Sequence, residues 1–554
     1  MEKMDRVVAK MVETPSPQRM QRFYSALKVT GIGEGLVVRD VGEGKGKGIF
    51  ASKTFEEGDP VLIEPPLVAA QDTANKVDAL VCAHCFQYVG SIELQIGRRL
   101  SLNQPQASGR PAETPEAETL DLDKRSGSEA SDDEVTGSGQ GTNGFGSREV
   151  TGSGQGTNGF GSREAIDKVN GLETELDEEG EHYCEVDESD DERIPAPPET
   201  VTALLDGTLK LPLSEQIPLP AVVECLGGCS ENVYCSDTCA SISWEAHHKL
   251  LCAGPRSEAA DTEALRGFRD FADGSNNIFH AAAQVVAATV LRARKVGAPI
   301  IPEHLAGGVG IGSEGRGRRR SSRAVTGGRA SEGGDEISDL DALLRAWEPF
   351  SMGWKGVWWE SVACPPEMEG RPEEEAEFRA SIRELCDGSL QLLRAAFGRE
   401  AETYRPLFSL EVYSRIIGMF ELNNLALVVQ SPVENYFLAI DELSEDEKRK
   451  VEPVTKPLLD ALGRSYSAHC EGTAFYMLQS CANHSCAPNA RAFKREQDVN
   501  GHAVLLANRR IEVGEEVTIS YIDESDSYID RQRALADYGF VCRCLRCLTD
   551  SLND

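Results

Sequence analysis

No stretch of this 554-residue chain is apolar for long enough to cross a bilayer. The most apolar run, residues 281–291, is short and is interrupted by Gln284. The first eighteen residues, MEKMDRVVAKMVETPSPQ, lack a hydrophobic core and carry charges among their apolar positions, which argues against a secretory signal or an anchor. Basic residues are also scarce: 57 Lys and Arg face 91 Asp and Glu, a net charge of −34. That deficit is local. Residues 101–200 hold 25 acidic and 7 basic side chains and so supply −18 of it, leaving the remainder far less acidic.

The same stretch has too few apolar groups to offset the entropy of ordering it. It contains VTGSGQGTNGFGSRE in tandem at 135–149 and 150–164, and two copies are too few for a solenoid. Residues 100–200 are therefore expected to be a disordered acidic insertion. The chain exceeds the size at which single cores stop growing, so several domains are expected. A soluble, intracellular protein is expected. In a reducing compartment its sixteen cysteines, arranged in clusters, point to metal before disulfides.

Residues 30–70 alternate glycine-rich turns with short β-branched and apolar runs (GLVVRD, GIFAS, DPVLIEPPLVAA), which predicts small strands. In 376–397, Phe378, Ile382, Leu385, Leu392 and Ala396 draw one apolar helical face, a packing feature rather than a site. A second low-complexity stretch, 306–336, contains GRGRRRSSR. It reads either as a solvated linker or as a nuclear-import or nucleic-acid-contacting patch, so direct nucleic-acid binding stays open.

Cys82 and Cys85 form CxxC, Cys225 and Cys229 CxxxC, Cys235 and Cys239 follow in YCSDTC, and His248 stands four residues before Cys252. Eight ligands in four pairs suit two tetrahedral zinc sites, and in so small a module metal binding would supply the folding energy. His247 is the weaker histidine, because only His248 has the expected spacing to Cys252. Near the C-terminal end VCRCLRC offers Cys542, Cys544 and Cys547, one ligand short of a tetrahedral site, and Cys486 in CANHSCAPNA is the natural fourth. Three zinc ions are thus expected. Cys184, Cys364, Cys386, Cys470 and Cys481 are left to packing or exposure.

The segment YCSDTCASISWEAHHKLLC resembles the second half of a MYND finger, with one extra residue in its third pair and 139 residues between Cys85 and Cys225. In that family the pairs interleave, which implies one zinc on Cys82, Cys85, Cys235 and Cys239 and another on Cys225, Cys229, His248 and Cys252. GKGIFA at 46–51, NHSCAPN at 483–489 and GEEVTISY at 514–521 together resemble the SET domain of protein lysine methyltransferases. The chain is thus similar to the SET-and-MYND family over roughly 25–100 and 200–550, and IGMFELNNLALVVQSPVENYF with FKREQD resembles its plant trithorax-related branch. Only seven residues follow Cys547, so no C-terminal helical-repeat domain is expected, as in the short members of the family.

The resemblance implies an α+β fold: a SET-domain β fold of knot-like small sheets with an inserted MYND finger, a helical insert and a zinc-binding post-SET tail. Its implied parts are an N-terminal extension at 1–24, the first SET part at 25–81, the interrupted finger at 82–252, the helical insert at 253–414, the core SET domain at 415–525 and the tail at 526–554. It implies S-adenosylmethionine as cofactor, bound by Lys45, Gly46, Lys47, Gly48, Asn423, Ser480, Asn483, His484 and Phe540. Tyr521 would be catalytic, and Tyr476, Tyr521 and Tyr538 would line the channel for the lysine stem. Methyl transfer to a neutral amine asks mainly for positioning and desolvation, which polar cofactor contacts and an aromatic slot supply.

Three functions stay open. The branch implies a histone substrate, with lysine 36 of histone H3 as a target, chromatin regulation, and a nuclear location with the cytoplasm open. A second reading keeps the enzyme and gives it a ribosomal or translation-factor substrate. A third makes the chain a non-catalytic adaptor whose finger binds proline-containing peptides. A monomer is expected, acting on a basic protein and not on a membrane.

Overall fold

The computed structural model describes residues 2–42, 46–102, 195–295, 298–306, 339–353, 355–365, 368 and 370–552. The acidic insertion with its tandem repeat, most of the arginine-rich stretch, Cys184 and Lys45 lie outside these residues. All that is described belongs to one compact unit.

The strands expected in 30–70 are β1 (Leu36–Asp40), β2 (Lys47–Ala51), β3 (Pro60–Glu64) and β4 (Val68–Gln71). The finger contributes β5 (Val223–Glu224) and β6 (Val233–Tyr234). The remaining strands come much later: β7 (Asn424–Val429), β8 (Cys470–Phe475), β9 (Asn483–His484), β10 (Ala490–Ala492), β11 (Ala503–Ala507) and β12 (Glu516–Ile519). They assemble into sheets β1-β2-β12-β9, β10-β11-β3, β4-β8-β7 and the finger hairpin β5-β6. Each of the three larger sheets therefore joins early strands to late ones. Only β12 and β9 run parallel, pairing Thr518 with Asn483 and Ile519 with His484. The other pairings are antiparallel.

The apolar run at 281–291 lies in the helix Ile278–Arg294, whose Val285, Val286 and Val290 are fully buried. The polar Gln284 within it has a partner. Gln284 Oε1 accepts from the Ala69 N–H at 3.2 Å and its Nε2 donates to the Ala69 carbonyl at 2.7 Å, satisfying the outer edge of β4. No described helix is long and apolar enough to cross a membrane.

The periodicity in 376–397 forms the helix Pro372–Phe397, begun by proline at its first turn and three glutamates that favour the positive end of the helix dipole. It stops at Gly398, whose φ of 50° suits glycine. Arg99, in the helix Ile92–Leu102, is buried and joins the segment after the first cysteine pair to distant chain. Its guanidinium donates to the carbonyls of Asp78, Ser465, Tyr466 and Ala468 and to the Ser431 hydroxyl, at 2.7–3.0 Å.

Candidate active site and metal centres

After β1 the Val41 N–H donates to the Gly46 carbonyl at 2.7 Å, and Gly46 holds a φ of 66° that suits glycine. Gly48, in β2, is needed for a different reason. A Cβ there would lie 2.5 Å from Val41 Cγ2, 2.7 Å from Glu516 Oε1 and 3.1 Å from Asn483 Nδ2. The absent side chain lets Asn483 reach across the strand: its Nδ2 donates to the Lys47 carbonyl at 2.9 Å and to Glu516 Oε1 at 2.7 Å. With both amide hydrogens used, the side chain can offer a ligand only its oxygen.

His484, next along β9, uses both ring nitrogens within the protein. Nδ1 accepts the Tyr521 N–H at 3.0 Å, and Nε2 lies 3.2 Å from Cys486 Sγ. Burial, reinforced by Arg531, pushes this imidazole down to about 4, so the ring is neutral, with its proton on Nε2 facing sulfur. One ring nitrogen thus holds the Tyr521 backbone.

The Tyr521 hydroxyl donates to the Ala482 carbonyl at 2.6 Å, and burial first, then the neighbouring Tyr538, pushes its phenol above the ordinary value. It keeps its proton at neutral pH. Around it stand Tyr538, with ring centroids 5.2 Å apart, His484 at 5.4 Å and Phe540 at 6.4 Å. Tyr538 also donates to the Tyr521 carbonyl at 3.4 Å, and Phe540 is 37 % exposed, its ring 6.1 Å from that of His484. These four rings form a half-open aromatic group beside Asn483.

The other expected residues are placed less directly. Ser480 lies in the turn Gln479–Cys481 and donates to the Met477 carbonyl at 3.2 Å. Asn423 ends the helix Leu410–Asn423 and donates to the Met419 carbonyl at 2.7 Å. Tyr476 is not in the aromatic group. Its hydroxyl donates to the Gly501 carbonyl at 2.6 Å, and its ring packs in a separate apolar cluster with Phe86, Tyr88 and Leu427. That carbonyl anchors the phenol in the core.

The structure gathers twelve ligand atoms into three groups of four: Cys82, Cys85, Cys235 and Cys239; Cys225, Cys229, His248 and Cys252; and Cys486, Cys542, Cys544 and Cys547. Within each group all ligand atoms lie within 4.8 Å of one another. Representative separations are 3.5 Å for Cys85–Cys235, 3.1 Å for Cys225 Sγ to His248 Nε2 and 3.4 Å for Cys486–Cys547. A tetrahedral ion bonded at roughly 2.0–2.3 Å needs donors about 3.3–3.8 Å apart, so the residues fit zinc. The pairs interleave as the MYND resemblance implies.

Outer contacts support the sulfurs. Gly227 N–H donates to Cys225 Sγ at 3.2 Å, Gly254 N–H to Cys252 Sγ at 3.3 Å and Gln532 Nε2 to Cys547 Sγ at 3.2 Å. His248, not His247, turns into its cluster. The Asn232 amide lies 3.1 Å from His248 Nδ1, so rotating that amide would let its oxygen hold the outer ring proton.

Several supporting residues carry no motif of their own. Glu64, wholly buried at the end of β3, accepts the N–H groups of Leu478 at 2.9 Å and Gln479 at 2.8 Å, capping the turn that leads into Asn483. Glu516 was visible within GEEVTISY, but only its position beside Gly48 shows that it orients Asn483.

A family model described as SET domain matches residues 371–522. The chain is similar to the histone-lysine N-methyltransferase ATXR2 of Arabidopsis thaliana, with 41% identity over 546 residues, covering 98% of this chain and 96% of that one. The human protein-lysine N-trimethyltransferase SMYD5 is 28% identical over 193 residues, 32% of this chain and 44% of its own. The histone-lysine N-methyltransferase ATXR4 of Arabidopsis thaliana is 47% identical over 77 residues, 14% of this chain and 23% of its own. With its interwoven sheets, its aromatic group and a relative alike over nearly the whole length, the chain belongs to the SET-domain family of protein-lysine N-methyltransferases.

Proposed function

We propose that this protein transfers methyl groups from S-adenosylmethionine to a histone lysine, lysine 36 of histone H3 among its targets, and acts on chromatin in the nucleus. The observation that carries the reading is the placement of the Tyr521 hydroxyl on the Ala482 carbonyl, inside an aromatic group that includes His484 and adjoins Asn483. The cofactor supplies a methyl group made electrophilic by a positively charged sulfur. The Asn483 oxygen, the backbone of His484 and the turn at Gly46, Lys47 and Gly48 would bind it, with Phe540 against its adenine and with Asn423 and Ser480 as further polar contacts that the family resemblance implies. Tyr521 and Tyr538 would wall the channel that receives the lysine stem and keep water from the amine. A lysine arriving without its proton needs no strong base, which agrees with a phenol that stays protonated. Three zinc ions, one per cluster, would hold the finger and the tail.

Purified protein given labelled cofactor and nucleosomes, free histones or ribosomal proteins should transfer label to lysine. Tyr521→Phe should reduce transfer at least about tenfold, with the thermal midpoint lowered only by the loss of one hydrogen bond, about 1 kcal/mol. Label on a ribosomal protein alone would move the substrate away from histones. No transfer to any of the three overturns the reading.

A further inference from the structure

Lys47 and Lys355 bring two ammonium groups together inside the protein. Lys47 is 6 % exposed; its Nζ donates to the Met352 carbonyl and lies 3.5 Å from the Tyr24 hydroxyl. Lys355 Nζ donates to the carbonyls of Ser351 at 2.6 Å and Gly353 at 2.9 Å. The two lysines thus serve three successive carbonyls at the end of the helix Asp339–Ser351. A helix C-terminus readily accommodates one cation, but its fractional charge does not balance two.

Among the described residues, neither ammonium has a carboxylate within ion-pair distance. The third cation nearby, Arg19, is already matched: its Nε lies 2.9 Å from both oxygens of Glu348. Glu64 influences the neighbouring Tyr24, but its carboxyl is held by Leu478 and Gln479. Burial pushes Lys355 down to about 7, with repulsion from Lys47 and then Arg19 adding to it. An unmatched buried pair of like charges is relieved either by loss of the Lys355 proton or by an anion, and an anion would let both ammonium groups stay charged. Lys355 has three N–H bonds and uses two on carbonyls, which leaves one for that anion.

The same strand indicates which anion. The Lys47 carbonyl is the one that takes the Asn483 amide, and Gly48 follows directly. The lysine pair therefore adjoins the turn and the asparagine that the proposed function assigns to the cofactor, whose methionine part ends in a carboxylate. We propose that Lys355 joins Lys47 in binding the α-carboxylate of S-adenosylmethionine, making Lys355 a cofactor-binding residue supplied from outside the segment 371–522 that matches the SET domain. This rests on the methyltransferase reading.

The test is calorimetric binding of S-adenosylmethionine and of its decarboxylated analogue to the full chain, unchanged and as Lys355→Met and Lys355→Arg. The unchanged protein should prefer the carboxylated compound by roughly tenfold to a hundredfold, the range for hydrogen bonds between charged groups. In Lys355→Met that preference should shrink by roughly tenfold, and in Lys355→Arg most of it should remain. The ratio of two affinities within one variant does not depend on how much of the sample is folded, so a lysine that merely caps the helix would leave it unmoved. An undiminished preference in Lys355→Met overturns the inference and leaves the methyltransferase reading standing. Failure of the unchanged protein to bind either compound overturns both.

Discussion

At the scale of single residues, the site depends on side chains whose size and charge are set by neighbours far away in sequence. Gly48 is the simplest case. In Gly48→Ala the new methyl would press on Glu516 Oε1 and Val41, disturbing the pair that aims Asn483. Overpacking of this kind costs about 1–3 kcal/mol. Cofactor affinity measured by calorimetry should fall at least about tenfold, more than the thermal midpoint suggests. Glu64 gives a pH signature. Burial raises its carboxyl to about 7, outweighing the backbone N–H groups that favour the charged form. Because the folded value lies above the unfolded one, its contribution to stability is full below about pH 4.5 and is lost as pH rises through about 7. The loss amounts to up to about 3 kcal/mol. Glu64→Gln carries no such loss, so denaturant titrations at pH 5 and pH 8 should show the variant gaining on the unchanged protein at the higher pH. A difference independent of pH would contradict this. NHSCAPN and the cysteine spacings were legible because ligand and cofactor chemistry demands particular side chains at short intervals. Glu64, Lys355 and the role of Glu516 were not, because the partners of a polar side chain are set only when remote segments meet. Tyr476 shows the converse limit: nothing in its neighbours distinguishes a phenol anchored on a core carbonyl from one lining a channel.

At the scale of elements, the boundaries that could be read from the sequence followed from local rules. Glycine-rich turns separated β1 to β4, and one apolar face specified the helix Pro372–Phe397. The pairing of elements did not follow. Gln284 looked like an interruption of an apolar run, yet it closes the edge of β4, and Arg99 in the helix Ile92–Leu102 ties down carbonyls more than 360 residues later. Replacing Arg99 by methionine leaves several buried carbonyls without donors and should cost about 3 kcal/mol or more, read as a lowered denaturation midpoint. Arg99→Lys should not restore it, because a single ammonium cannot reach acceptors arranged around a planar guanidinium.

At the scale of the whole molecule, the C-terminal ligand cluster and the aromatic group meet in one chain of contacts running from Cys486 through the His484 ring to the Tyr521 backbone. Cys486→Ser should lower zinc content from about three to about two ions per chain by metal analysis, and should abolish methyl transfer while the finger keeps its two ions. Retention of three ions would show that the four sulfurs do not share a metal. The interleaving of early and late strands has a further bearing on how the protein comes into being. β2 cannot complete its sheet until β12 exists, 465 residues later, and at about 5–20 residues per second the ribosome needs roughly half a minute or more to make that partner. Throughout that interval Gly48 and Lys47 have no Asn483 to meet, so a nascent chain holds every early component of the enzyme while remaining unable to modify anything.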